Sequence, residues 1–232
     1  MIPIPIRDSL RSSVQPLVTL TLVGLCVLIY LWDRGFSIFG QSVFFNDLAM
    51  RPEEITLIVT GKGNPAELGR IFTSLFLHGG LLHLALNMIY LLAFGPTIER
   101  TLGGWRYALY YLFWGVVASL VHTLVYPHSE AYLLGASGAI GGIMGVYFLL
   151  YPASKIEVMF FPIFWKTFPI PAGLLIGLWF VLQIVFPQEG VANWAHIGGF
   201  AAGMLTVMVL GGRTKALETL KPEWETSEFA DA

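Results

Sequence analysis

Charge is what this sequence has least of. Asp, Glu, Lys and Arg make up 12% of its 232 residues, against about 25% in an ordinary soluble domain. The formal net charge of −2 supplies no basic surface, so no nucleic-acid partner is expected. There is one cysteine, Cys26, which can close no internal disulfide. No H-E-x-x-H occurs, and no acid neighbours His78, His83 or His196, so neither a metal site nor a cofactor is expected.

What fills the space is apolar. Hydrophobic residues account for 56% of the chain and mean hydropathy is +0.70. Apolar stretches run over 17–32, 72–94, 105–126, 134–151, 168–186 and 192–212. Each is near the roughly 20 residues that a helix needs to cross a bilayer. The first is read as a retained span, because Leu31-Trp32-Asp33-Arg34 offers no small-residue cleavage site. This gives an all-α, polytopic membrane protein with six transmembrane helices. Residues 1–15 form a short cytoplasmic lead-in, 16–212 the membrane domain, and 213–232 a charged cytoplasmic tail. That tail is read as a short surface helix followed by disorder.

The long first loop, 33–70, carries Ile38-Phe39 and Val43-Phe44-Phe45, which suit the headgroup layer. None of the acids is placed inside a span: Asp33, Asp47, Glu99, Glu130, Glu157 and Glu189 all read as loop residues. Lys and Arg set the orientation. Arg7, Arg11, Arg100, Arg106, Lys155, Lys166, Arg213, Lys215 and Lys221 fall on one set of segments, while Arg34, Arg51, Lys62 and Arg70 share the long loop. The positive-inside rule puts both ends in the cytoplasm, with a bacterial inner membrane as the expected location. Spans two, four and six then run from outside to inside. His78, His83, Ser137 and His196 therefore share the outer half of the bilayer.

Two stretches carry the candidate chemistry. In Gly135-Ala136-Ser137-Gly138-Ala139-Ile140-Gly141-Gly142-Ile143-Met144-Gly145, Gly138 with Gly142 and Gly141 with Gly145 form small-residue stripes. Such stripes let two membrane helices approach closely. Ala195, Gly199 and Gly203 form a second stripe, with His196 beside its first member. Were the two seams to meet, Ser137 and His196 would meet, and a serine beside an imidazole is the minimum apparatus for nucleophilic catalysis. A packing serine and an interior histidine are the bland alternatives. With no carboxylate at depth, the pair reads as a dyad rather than a triad. His83 and Asn87 are four apart and share a helix face. Both offer N–H donors at about the depth of Ser137, where an oxyanion would gain roughly 3–4 kcal/mol from each. The alternative is polar glue between helices.

The chain resembles the rhomboid intramembrane serine proteases. The resemblance is carried by Gly135-x-Ser137-Gly138, Ala195-His196-x-x-Gly199-x-x-x-Gly203 and His78-x4-His83-x3-Asn87, in that fold a six-helix bundle, and covers about 16–212. It implies Ser137 as nucleophile, His196 as base, and His83, Asn87 and the Ser137 backbone N–H as oxyanion donors. His78 and Gly138 take supporting roles, and Gly141, Gly145, Gly199 and Gly203 pack the helices. The implied substrates are other transmembrane proteins, met in the lipid bilayer and cut in or near a span. Glu99 and Arg100 match a family loop pattern that ties cytoplasmic helix ends.

Two positions depart from the pattern. Gly69-Arg70 stands where rhomboids often carry Trp-Arg, so the long loop is expected to be anchored differently. Gly141 stands where Tyr or Phe usually backs the histidine, so that backing must come from elsewhere. Tyr107, Tyr110, Tyr111 and Trp114 read as an interface belt and packing face. The competing functions are a non-catalytic rhomboid-like client-binding protein, which typically lacks the Ser or His, and a small transporter lined by His and Asn. A metalloprotease is disfavoured.

Overall fold

The computed structural model describes residues 2–10, 15–161, 166–188 and 190–220. Arg11, Glu189, Lys221 and the acidic tail beyond it lie outside the described residues. The fold is mostly helical. Its helices are α1 (Leu17–Asp33), α2 (Phe45–Leu48), α3 (Pro52–Val59), α4 (Arg70–Thr73), α5 (Leu81–Leu102), α6 (Gly104–Val125), α7 (Ser137–Leu150), α8 (Ala172–Val185), α9 (Asn193–Val209) and α10 (Gly212–Leu220). By length and composition α5 and α6 are long enough to cross a membrane. The helices α1, α7 and α8 are shorter apolar ones, and α9 and α10 meet at a bend of 75°. Leu28, Leu124, Leu174, Leu205 and Val209 all point outward. An apolar exterior of this extent is favourable only against another apolar medium.

The apolar run over 72–94 does not become one helix. Residues 74–76 form a tight turn and Leu77 is extended. Gly80 is extended too, so α5 starts at Leu81 and continues through Pro96 to Leu102. Two acids are thereby corrected from loop to helix. Asp33 is the last residue of α1 and wholly buried. It meets Arg34 at 2.9 Å and accepts from Ser42 Oγ and the Phe44 N–H, both at 2.9 Å. Glu99 lies inside α5 and is buried. It accepts from the Val18 N–H at 2.8 Å, the Thr19 N–H at 2.7 Å and Thr19 Oγ1 at 2.7 Å. The first helix has no side-chain cap of its own, so a carboxylate from another helix satisfies its free N–H groups and opposes its dipole. Glu99→Ala should therefore destabilise the protein by roughly 2–3 kcal/mol. Thermal unfolding in detergent measures it, and an unaltered midpoint would remove Glu99 from this role.

The chain departs from an all-helical bundle in one small sheet. Strands β1 (Ile2–Asp8), β2 (Lys155–Phe161) and β3 (Thr167–Pro171) pair antiparallel in that order. The lead-in at 1–15 thus contributes a strand, and 167–171 is strand rather than helix. The prolines explain the order. Pro5 of β1 and Pro169 and Pro171 of β3 lie on outer strands, while β2 has no proline. A proline lacks the N–H that a central strand needs on both sides. In β2, Ile156 and Val158 are buried and Lys155 is exposed, an alternation that a helical reading misses. From β1, Asp8 reaches the bundle, hydrogen-bonded by Thr97 and, at 3.0 Å, by the Tyr147 hydroxyl. Burial raises its carboxyl above the usual range, against the hydrogen bonds from Thr97 and Tyr147 and the nearby Arg100 charge.

The long loop is structured. Arg70 donates to Glu54 at 2.8 Å and to the Asp47 carbonyl at 3.2 Å, tying α2, α3 and α4 together without an indole at Gly69. Ile38, Phe39 and Val43 are exposed on it. On α6, Tyr107, Tyr111 and Trp114 are fully buried, so they belong to the packing face and not to an interface belt. Trp114 donates from Nε1 to Thr206 Oγ1 at 3.0 Å, joining α6 to α9.

Candidate active site

The seam between α7 and α9 is backbone against backbone. A Cβ built on Gly199 would overlap the Gly138 carbonyl oxygen, and one on Gly203 the Gly142 carbonyl oxygen. From the other side, a Cβ on Gly145 would overlap the Phe200 carbonyl oxygen, and one on Gly141 would lie 2.9 Å from that of His196. Hence the carbonyls of Gly138 and Gly142 abut Gly199 and Gly203, while the Cβ positions of Gly138 and Gly142 face Ala118 and Trp114 of α6 and those of Gly141 and Gly145 face the backbone at His196 and Phe200. Glycine is required here by proximity, which is how small-residue stripes join membrane helices. The stripe ends at Ser137 on one helix and His196 on the other.

Ser137 is the first residue of α7. Gly135 precedes it with φ +118°, a conformation that side chains disfavour, and its N–H donates to the Ser74 carbonyl at 2.9 Å. A Cβ there would also lie 2.8 Å from His83 Nε2. The sharp approach turns the start of α7 toward α5. The first intrahelical bond runs from the Ile140 N–H to the Ala136 carbonyl at 3.0 Å, so the N–H groups of Ser137, Gly138 and Ala139 precede the ladder. They carry the positive end of the helix dipole.

His83 and Asn87 lie one turn apart on α5. The Gly79 N–H donates to His83 Nδ1 at 3.3 Å, and Asn87 Nδ2 donates to the His83 carbonyl at 2.9 Å. A neutral imidazole that accepts at Nδ1 carries its proton at Nε2, the nitrogen beside Gly135. His83, Asn87, Ser137 and His196 line one cavity of about 650 Å³, together with Ile140, Met144, Trp179 and Gln183. Ser137 and His196 make no hydrogen bond to each other among the described residues. Catalytic hydrogen bonds are often long without substrate and tighten in its complex.

His78 is not in that cavity. It sits before α5 rather than within a span and is fully buried, its ring edge-on to that of His83 at 5.2 Å. Arg34 Nη2 donates to its carbonyl at 2.9 Å, linking the turn before α5 to the long loop.

Two neighbours of His196 escaped the sequence reading. Gln183 Oε1 is 2.8 Å from His196 Nδ1. Trp179 lies with its ring centroid 5.7 Å from the imidazole at 35°. Both come from α8 and contact the imidazole ring, where Gly141 supplies no side chain. A signal existed: along Ala172–Val185, Gln183 is the single amide in an otherwise apolar helix, and such residues need a partner.

The chain is similar to known proteins over this region. A model of the Rhomboid domain matches residues 65–213. The chain is 33% identical to the rhomboid protease GluP of Bacillus subtilis over 164 residues, covering 71% of this chain and 29% of that protein. It is 34% identical to RHOMBOID-like protein 4 of Arabidopsis thaliana over 146 residues, 61% of this chain and 34% of the relative. With rhomboid-type serine protease 2 of Emericella nidulans it shares 28% identity over 145 residues, 62% and 27% of the two chains. The aligned part is thus about a third of the length of these relatives.

Proposed function

The chain belongs to the rhomboid family, an integral membrane protein, and from that premise we propose that it is an intramembrane serine endopeptidase. Its substrates are other membrane proteins, cut in or near a transmembrane segment. The observation that supports the reading is that Ser137 and His196, on two helices packed along a glycine seam, line one cavity with His83 and Asn87.

The chemistry follows from the groups present. His196 Nε2 takes the proton of Ser137 Oγ as that oxygen attacks the scissile carbonyl carbon. The resulting oxyanion meets the Ser137 N–H at the start of α7, His83 Nε2–H and Asn87 Nδ2–H. The intermediate collapses, the C–N bond breaks, and His196 gives its proton to the leaving amine. A water deprotonated by the same imidazole then attacks the acyl ester and frees Ser137. An intact substrate helix hides its carbonyls, so a segment that unwinds locally is the one that is cut.

In this reading α1, α5, α6, α7, α8 and α9 are six spans within a domain of 16–212. The Lys and Arg distribution supports cytoplasmic ends flanking it. The reading is tested with a fluorophosphonate probe on purified protein: Ser137-dependent labelling is expected, and wild-type protein that fails to label would overturn it. The oxyanion roles have their own signature. Asn87→Ala and His83→Ala should each lower kcat about 100-fold or more with KM nearly unchanged, because the charge they meet exists only in the transition state. A large rise in KM at unchanged kcat would make them substrate-positioning groups instead.

A further inference from the structure

A histidine that acts as a general base at one ring nitrogen must hold its proton at the other. The two positions are set by what the second nitrogen touches. Here that partner is Gln183, with Oε1 at 2.8 Å from His196 Nδ1. An amide oxygen only accepts, so the imidazole donates from Nδ1 and keeps the lone pair at Nε2. The Trp179 indole, four residues earlier on α8, lies against the same ring. Gly141 offers no substitute, since it has no side chain and its Cβ position is 2.9 Å from the His196 carbonyl oxygen.

We propose that Gln183 is the positioning residue of the candidate catalytic pair, holding His196 in the tautomer and orientation in which Nε2 receives the Ser137 proton. The inference rests on the serine-protease reading and deepens it. Gln183 fills the place that a carboxylate fills in a triad, but without a charge. That suits its setting, because an ionised side chain inside a membrane helix is costly. The proton balance is simple. Ser137 Oγ–H gives its proton to Nε2, the ring becomes imidazolium with Nδ1–H still donated to the amide oxygen, and Nε2–H passes to the leaving amine. Because the acceptor stands on α8, the base is held by a different helix from its own. Displacing α8 would release it.

The test uses full-length protein in detergent, labelled with ¹⁵N-histidine and assigned with His196→Asn. The ring shifts of His196 report which nitrogen carries the proton. Wild type should show the Nδ1–H form. Gln183→Leu, which has no acceptor, should move the population toward Nε2–H and lower fluorophosphonate labelling and kcat about 10- to 100-fold, with KM within about threefold. Gln183→Glu keeps an acceptor and should hold the Nδ1–H form and label within a few-fold of wild type. A wild-type ring protonated at Nε2 would mean that the amide presents its N–H instead, and would overturn the proposal whatever the activity. So would Gln183→Leu that labels as fast as wild type. Wild-type protein that fails to label, with the Nδ1–H form intact, would overturn the protease reading and leave the contact standing.

Discussion

Ser137→Ala and His196→Ala are each expected to abolish cleavage of a transmembrane substrate, a loss on the order of 10⁴- to 10⁶-fold. The two groups act on one proton, so the double variant should be no slower than either single one. Three details of the structure make the experiment clean. Ser137 is half-buried and borders the cavity, so losing its hydroxyl leaves no sizeable void. The seam beneath it is built from glycine backbone and does not involve the removed atoms. His196→Ala costs the Gln183 contact at 2.8 Å but leaves the glycine interface intact. Both variants should insert and elute as wild type does. Cleavage by either purified variant within tenfold of the wild-type rate would sink the pair as catalytic. Additive losses in the double variant would show that the two act in separate steps.

Gly199→Val is expected to leave folded, inserted protein that cleaves at least 100-fold more slowly. The argument is steric. A Cβ on Gly199 would overlap the Gly138 carbonyl oxygen and would lie 2.9 Å from the Gly138 carbonyl carbon. The obstructing atom is backbone, which cannot swing aside as a side-chain tip can, so α7 and α9 must separate. Overpacking of this kind typically costs about 1–3 kcal/mol, which a bundle of this size can survive. Geometry is less tolerant: a displacement of about 1 Å between reacting groups can cost on the order of 100-fold. Since Ser137 and His196 sit on the two helices being forced apart, rate should fall further than stability. Gly24→Val supplies the control, because a Cβ at Gly24 in α1 meets nothing within 4 Å, and it should be nearly silent. Equal cleavage by Gly199→Val and wild type, measured per folded molecule, would falsify the claim that this contact aligns the pair.

The seam itself was legible in the sequence. Helical periodicity fixes which residues share a face, so Gly138 with Gly142, Gly141 with Gly145, and Ala195 with Gly199 and Gly203 declared flat stripes, but which α7 stripe meets α9 and which meets α6 was decided by packing. The polar residue at the head of each stripe followed from position alone. The pairing of His83 with Asn87 was legible for the same reason, four residues being about one turn. What periodicity cannot carry is contact between residues far apart in the chain.

Glu99 looked like a loop acid because the apolar run ended before it. Its place was decided by α1, whose free N–H groups at Val18 and Thr19 it satisfies. Asp33 was misread similarly, since its partners Ser42 and Phe44 reach it only once the loop folds back. The small sheet escaped because β1 and β2 lie on either side of α1 to α7 in the chain. The prolines that read as a lead-in are what an outer strand tolerates. Gln183 carried a signal as a lone amide in an apolar helix, but nothing in its spacing pointed to His196. The sequence by itself determined the membrane-helix composition, the candidate nucleophile and base, and the small-residue faces of their helices, because these depend on residue type and on a local repeat. The tertiary structure alone decided where the helices begin, how buried acids are satisfied and what holds the imidazole. The last two are hydrogen bonds between separate elements, and no local pattern encodes their partners.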